Sequence, residues 1–282
     1  GAYQEIEDVD QFISDSEQSI LSVTRNRSTG EFRDVHSVIH EVTQELMRIS
    51  QNNGEIAGLA TKIRDFDKMT HGFQKGDLVI LGARPSVGKT AFALNIATNV
   101  AHRASEAVAF FSLEMPAEQL IRRCIQAMGG IDGGLLRNAE ILKSDANKYY
   151  AATERVSECN LYIDDTPGIK INDLIAKARR LKQEHGLCLI VIDYLQLIVG
   201  NSKESRQQEV SDISRQLKGL ARELEVPVIA LSQLARSVEK RDDKRPMMSD
   251  LRESGAIEQD ADIIIFLYRE GYYDQSADKQ QN

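Results

Sequence analysis

The feature that most constrains the fold is an alternation, from Asp77 onward, of short apolar runs with longer segments of helical periodicity. Six apolar runs predict strands: Leu78–Leu81, Val108–Phe111, Leu161–Ile163, Leu187–Ile192, Val226–Leu231 and Ile263–Leu267. Five intervening segments predict helices: Thr90–Val100, Ala117–Met128, Asp145–Ser157, Asn172–His185 and Gln207–Leu224. Most of the apolar runs are continuous, which is typical of parallel strands covered by helices on both faces. The pattern therefore predicts an α/β domain built on a mainly parallel sheet.

Two amphipathic helical patterns precede the first predicted strand. The first repeats apolar residues at helical spacing: Ile6, Val9, Ile13 and Ile20. A polar stretch that ends at Gly30 follows as a linker, and the second pattern runs from Val35 to Ile49. Because a solitary amphipathic helix cannot bury its apolar stripe, the first helix packs either on its own domain or on a neighbouring subunit. We divide the chain into a linker region, residues 1–33, and a domain, residues 34–282.

A candidate phosphate-binding loop follows the first predicted strand. The segment Ala83–Thr90 matches the pattern G-x-x-x-x-G-K-[ST], except that Ala83 stands at the first glycine position. Lys89 is expected at the mouth of the site, where it neutralises phosphate charge, and Thr90 is expected to contact Mg²⁺. The alternative is a strand–helix turn that binds nothing. The candidate nucleotide-binding residues are Ala83, Ser86, Gly88, Lys89, Thr90 and Ala91.

Three strand ends supply the remaining candidate side chains. Asp193 ends an apolar run and is expected to hold Mg²⁺, although an Asp there also caps turns. Glu114 follows the second strand and is the candidate base for the attacking water; alternatively, it and Glu118 decorate the first turn of the next helix. Gln233 follows Ser232 at a strand end, where it either reports the γ-phosphate or makes local hydrogen bonds.

Charge and cysteine content exclude several classes of protein. The 35 basic and 43 acidic residues give a net charge of −8, so any contact with nucleic acid must be local. The best local candidate is residues 236–252, with six bases against four acids.

Three well-separated cysteines exclude a disulfide framework or a zinc knuckle and suit a reducing cytoplasm. No apolar run is long enough for a membrane span, and no signal peptide is recognisable.

Five segments resemble the motifs of bacterial replicative helicases of the DnaB type. They are Phe111–Met115, Val191–Leu197, Arg206–Val210, Ala230–Leu234 and Arg245–Asp262, and the likeness covers roughly residues 5–280. The resemblance implies a RecA-like ATPase domain that uses ATP and Mg²⁺. It also implies a homo-oligomer, a hexameric ring around single-stranded DNA, with primase and a helicase loader as partners.

The resemblance also implies roles for individual residues. Glu114 matches the catalytic glutamate, Asp193 the magnesium-binding aspartate and Gln233 the glutamine that senses γ-phosphate. Arg252, Glu253 and Gly255 match a loop that grips the DNA backbone in the central channel. Basic residues at 236–245 line the same channel or form an ordinary solvated loop. No aromatic residue is interleaved there, which favours a grip on the backbone without base stacking.

Two departures from the family pattern bear on activity. The chain starts at what resembles the linker helix, and it ends before a Lys-x-Arg segment that in the family reaches into a neighbour's ATP site. We therefore expect a slower enzyme, unless Arg236, Arg241 or another internal residue serves as the finger in trans. Two other functions stay open: a RecA-type recombinase ATPase, and a non-hydrolysing ATP-binding scaffold for replication proteins.

Overall fold

The computed structural model of the chain describes residues 32, 34–51, 56, 58–200, 205–251 and 255–273. Contacts divide the chain into two compact units, Gly1–Glu55 and Ile56–Asn282. In the first unit, helix α1 spans Val35–Gln51, and the Asp34 side chain accepts hydrogen bonds from the first backbone N–H groups. The predicted helix around Ile6–Ile20 lies outside the described residues. The sequence predicts a boundary between residues 33 and 34, and the contacts divide the chain after Glu55.

The second unit alternates strands and helices. Its helices are α2 (Arg64–Thr70), α3 (Lys89–Ala101), α4 (Ala117–Gly129), α5 (Gly133–Arg137), α6 (Ile141–Ser144), α7 (Ala146–Ser157), α8 (Ile171–His185), α9 (Arg206–Leu224), α10 (Gly255–Asp260) and α11 (Glu270–Tyr273). Its strands are β1 (Leu78–Ala83), β2 (Ala107–Ser112), β3 (Leu161–Asp164), β4 (Leu187–Asp193), β5 (Val228–Gln233) and β6 (Ile263–Phe266). All six predicted strands and all five predicted helices are present. No helix in the described part of the chain is long and apolar enough to cross a membrane.

The strands form one parallel sheet in the order β3–β2–β4–β5–β1–β6. Alternate residues of β1 point to opposite faces: Leu78 and Ile80 pack towards α9, and Val79 and Leu81 pack towards α3. Helices on both faces therefore bury nearly every residue of the central strands β1, β4 and β5, which is why their sequences are almost continuously apolar. The predicted α/β fold is confirmed.

Several elements begin or end at other residues than predicted. Strand β5 starts after Pro227, which has no N–H to donate to a ladder, and it continues through Gln233. Asp145 precedes helix α7, and its side chain caps the helix by accepting from the N–H of Lys148 at 3.0 Å. Ser205 caps α9 in the same way. These differences matter for function, because β2, β4 and β5 extend past their predicted ends and carry Ser112, Asp193 and Gln233 at the carboxyl edge of the sheet.

Candidate nucleotide-binding site

The phosphate loop connects the buried strand β1 to helix α3. Gly88 stands at the N-cap of this helix with φ 114°, a conformation that L-residues rarely adopt. A Cβ atom on Gly88 would meet nothing within 4 Å, so the backbone conformation and not crowding requires glycine. The first N–H groups of a helix have no partner within the helix, and α3 carries no acidic residue in its first turn. The loop therefore presents backbone donors suited to an anion.

A buried hydroxyl–carboxylate pair lies beside this loop. Thr90 Oγ1 donates to Asp193 Oδ2 at 2.6 Å, and Asp193 is 1% exposed. The other carboxylate oxygen, Oδ1, is buried without a hydrogen-bond partner. Burial raises the pKa of Asp193, and the Thr90 hydroxyl and the Lys89 charge oppose that shift. Because the Asp193 side chain caps no turn, the capping alternative for this residue is wrong.

The orphaned Asp193 oxygen fits a bound cation. Thr90 and Asp193 supply oxygen donors of the type that Mg²⁺ prefers. In the described ranges, no group of three or more His, Cys, Asp or Glu side chains could hold a metal by itself. Phosphate oxygens and water would therefore have to complete the shell, as is usual for Mg²⁺ at nucleotide sites.

Lys89 is buried, and not at the mouth of the site as the sequence predicted. It is 9% exposed, and its Nζ lies 4.7 Å from the centroid of the Tyr194 ring. Burial lowers the pKa of Lys89, and the negative charges of Asp193 and Glu114 oppose that shift. The covering ring belongs to the residue directly after β4, and sequence reasoning gave this tyrosine no role.

Glu114 is exposed and lies outside the following helix. Ser112 pairs with Asp193 across the β2–β4 ladder, so Glu114, two residues later, comes near the phosphate loop. Its charge acts on both Lys89 and Tyr194. Helix α4 begins only at Ala117 and holds Glu118 in its first turn. The helix-decorating alternative therefore applies to Glu118 and not to Glu114.

The end of β5 lies between the phosphate loop and the strand that carries Asp193. Gln233 pairs with Ala83 in the parallel ladder and is half-buried. Gln196, which sequence reasoning assigned no role, donates from Nε2 to Ser232 Oγ at 2.9 Å. Its Oε1 accepts from the Gln233 N–H at 3.4 Å, and its carbonyl accepts from Arg206. This amide and Arg206 thus connect the end of β5 with the start of α9.

The candidate DNA-binding residues are only partly described. Arg252 and Glu253 lie outside the described residues, and Gly255 begins helix α10. In the preceding segment, Arg241 forms a bidentate ion pair with the buried carboxylate of Asp250 at 2.8 and 2.7 Å. Its guanidinium is therefore engaged within its own chain, and the role of Arg241 as a finger in trans stays a prediction.

The fold and these contacts define a class of protein. A phosphate loop follows one strand, a buried aspartate ends another, and one further strand lies between them. This arrangement is that of a RecA-like P-loop ATPase domain.

Comparison with known proteins identifies the family. The model of the DnaB-like helicase C-terminal domain matches residues 58–282. The chain is 52% identical over 280 residues to the replicative DNA helicase DnaC of Bacillus subtilis. It has the same identity over the same length to the replicative DNA helicase DnaB of Geobacillus stearothermophilus. The chain belongs to the DnaB-like helicase C-terminal domain family. The two alignments cover 99% of the chain but 62% of each relative, so the chain spans about three fifths of their length.

Two solved structures are similar to the chain. One is an ATPase domain with a TM-score of 0.83 and 41% identity, and the match covers 89% of both chains. The other, a DnaB-like replicative helicase described with its interactions with primase, has a TM-score of 0.78 and 38% identity. That match covers 96% of this chain and 67% of the other. Both likenesses support the RecA-like fold.

Proposed function

We propose that this chain is the ATP-hydrolysing motor of a replicative DNA helicase, which translocates on single-stranded DNA and unwinds duplex at the replication fork. The observation that carries the proposal is the Thr90–Asp193 pair, whose second carboxylate oxygen is buried without a partner beside the phosphate loop. A buried carboxylate left half-unpaired costs stability, which a bound cation would recover. The family assignment supplies the reaction.

Each nucleotide-binding residue has a physical role in this proposal. Backbone N–H groups of residues 86–91 bind phosphate oxygens at the start of α3. Lys89, held beneath the Tyr194 ring, neutralises the β- and γ-phosphates. Its burial concentrates its charge on the phosphates, since water competes less there. Thr90 and Asp193 would hold Mg²⁺, which when bound supplies charge neutralisation on the transferred phosphoryl group.

Hydrolysis requires a group that positions or deprotonates the attacking water. We assign this role to Glu114, because it is exposed to solvent and its charge acts on the Lys89 ammonium. Gln233 is assigned to the γ-phosphate, since it pairs with Ala83 at the start of the phosphate loop. An intact set of base, lysine and metal ligand favours turnover over the scaffold alternative. The family match favours a helicase over a recombinase.

We infer the DNA and protein partners from membership of the family. Arg252, Glu253 and Gly255 are assigned to the DNA backbone, with single-stranded DNA held in the channel of a homohexameric ring. Residues 1–33 are assigned to docking on a neighbouring subunit. Primase is proposed as a partner, because a similar helicase is described with its interactions with primase. A helicase loader is a second partner, and the bacterial cytoplasm is the proposed location.

The test separates nucleotide binding from chemistry. Glu114→Gln keeps the shape of the side chain and removes the base, so ATP should still bind while hydrolysis falls by roughly 10²–10⁴-fold. Glu118→Gln is the matched control and should hydrolyse ATP at the wild-type rate, because Glu118 lies in the first turn of α4. Steady-state ATPase with and without single-stranded DNA is the measurement. A normal rate in Glu114→Gln would remove this residue from the chemistry.

A further inference from the structure

Arg84 joins the phosphate loop to the segment after β5. This residue is the second of the loop, and its side chain is 11% exposed. Its Nη1 donates to the carbonyl of Leu234 at 2.8 Å. Its Nε and Nη2 both reach Glu239 Oε1, at 2.9 and 2.8 Å. A guanidinium with three engaged nitrogens, mostly shielded from water, holds its partners in a fixed geometry.

Both backbone groups of Leu234, the N–H and the carbonyl, form hydrogen bonds with the phosphate loop. Its N–H donates to the carbonyl of Ala83 at 3.3 Å, and its carbonyl accepts from Arg84. Leu234 directly follows Gln233, the candidate sensor of γ-phosphate. Any shift of the loop backbone on nucleotide binding therefore acts on the start of this segment.

Residues 235–250, which we term the basic segment, have their two ends joined. Leu234 forms an antiparallel bridge with Leu251, and the N–H of Ala235 donates to the carbonyl of Asp250 at 2.8 Å. The Arg241–Asp250 ion pair is a further link within the segment. We call the paired residues 234–235 and 250–251 the base of the segment, and Arg84 bonds to the first of these two pieces of chain. The chain continues from the other piece directly into Arg252, a residue assigned to DNA in the proposed function.

We propose that Arg84 is a positioning residue that couples occupancy of the phosphate loop to DNA binding, through Leu234 and the base of the basic segment. The proposal rests on the proposed function and deepens it. Phosphate binding fixes the backbone conformation around Arg84, and the guanidinium carries that constraint to Leu234 and Glu239. Because coupling between two binding sites is reciprocal, DNA must change nucleotide affinity by the same factor as nucleotide changes DNA affinity.

The experiment measures the affinity of the chain for a fluorescein-labelled oligothymidine strand, with and without a non-hydrolysable ATP analogue and Mg²⁺. The ratio of these two affinities is the coupling factor. In the wild type we expect the two affinities to differ about fivefold or more. In Arg84→Leu the ratio of the two DNA affinities should fall below about 2, whatever the affinity of this variant for the analogue alone. The matched control is Arg179→Leu, which removes the bidentate ion pair with Glu223 between α8 and α9 and should keep the wild-type factor.

A conservative variant guards against a folding defect. Arg84→Lys keeps the charge but replaces the planar fork of three engaged nitrogens with one ammonium on a flexible stem, which holds Leu234 and Glu239 less rigidly. Its coupling factor should therefore lie between those of Arg84→Leu and the wild type. If both Arg84 variants bind each ligand and keep the coupling factor of the wild type, the proposed coupling is refuted while the proposed function stands. A coupling factor of 1 in the wild-type protein would refute it in the same way. Failure of the wild-type chain to bind nucleotide or DNA at all would refute the proposed function itself, and the coupling with it.

Discussion

The hydrogen bond from Thr90 to Asp193 should be measurable as stability in the absence of nucleotide. Thr90→Val replaces the hydroxyl with a methyl group of similar size and leaves both oxygens of the buried Asp193 carboxylate without a donor. Hydrogen bonds to charged groups contribute about 1.5–3 kcal/mol, and since Thr90 is half-buried we expect a loss of about 2 kcal/mol. For a domain of this size that corresponds to a fall in melting temperature of about 4–8 °C.

The pH dependence of this loss follows from the pKa of Asp193. Burial raises that pKa above its value in the unfolded chain, so the carboxylate makes folding less favourable as the pH rises through the folded pKa. Thr90→Val removes a donor that favours the charged form, and the pKa should rise further. Below the folded pKa the carboxyl is protonated in both proteins and no longer needs a charge-assisted donor. The stability difference should therefore shrink as the pH falls.

Thermal unfolding of the nucleotide-free chain, at neutral and at acid pH, is the assay. Thr90→Ser is the control, because it keeps the hydroxyl and should melt close to the wild type. The reasoning is refuted if Thr90→Val and Thr90→Ser melt within about 1 °C of each other at neutral pH. It is also refuted if the deficit of Thr90→Val grows towards acid pH.

Two further predictions concern the ligands. Lys89→Met keeps an unbranched side chain beneath the Tyr194 ring but removes the charge, so ATP affinity by calorimetry should fall about 10–100-fold while the protein stays folded. Unchanged affinity would contradict the assignment of the phosphate loop. Arg252→Ala should weaken single-stranded DNA binding equally across sequences and reduce the salt slope by about 0.7, with ATP binding intact. A variant that keeps the wild-type slope would place the DNA contact elsewhere.

The sheet and the phosphate loop could be predicted from the sequence, because each strand and the loop are formed by residues that are neighbours in the chain. The run Leu187–Ile192 is apolar because helices cover both faces of β4, and that burial pattern is readable without coordinates. Gly88, Lys89 and Thr90 are adjacent because one turn of backbone must present donors, a cation and a hydroxyl to the same phosphates. Local chemistry of this kind requires a particular spacing, and the spacing is visible in the chain.

The tertiary structure decided how far each of these groups is from water and which distant residue it meets. Lys89 is buried because the Tyr194 ring covers it, and Asp193 keeps an unpaired oxygen because β4 ends beside the phosphate loop. Arg84 meets the carbonyl of Leu234, 150 residues away, because β5 lies next to β1 in the sheet. Strand order brings these residues together, and a linear pattern of apolar and polar residues does not encode strand order. The chain itself determined which chemical groups are present, while packing determined their partners and the direction in which the pKa of Lys89 and of Asp193 shifts.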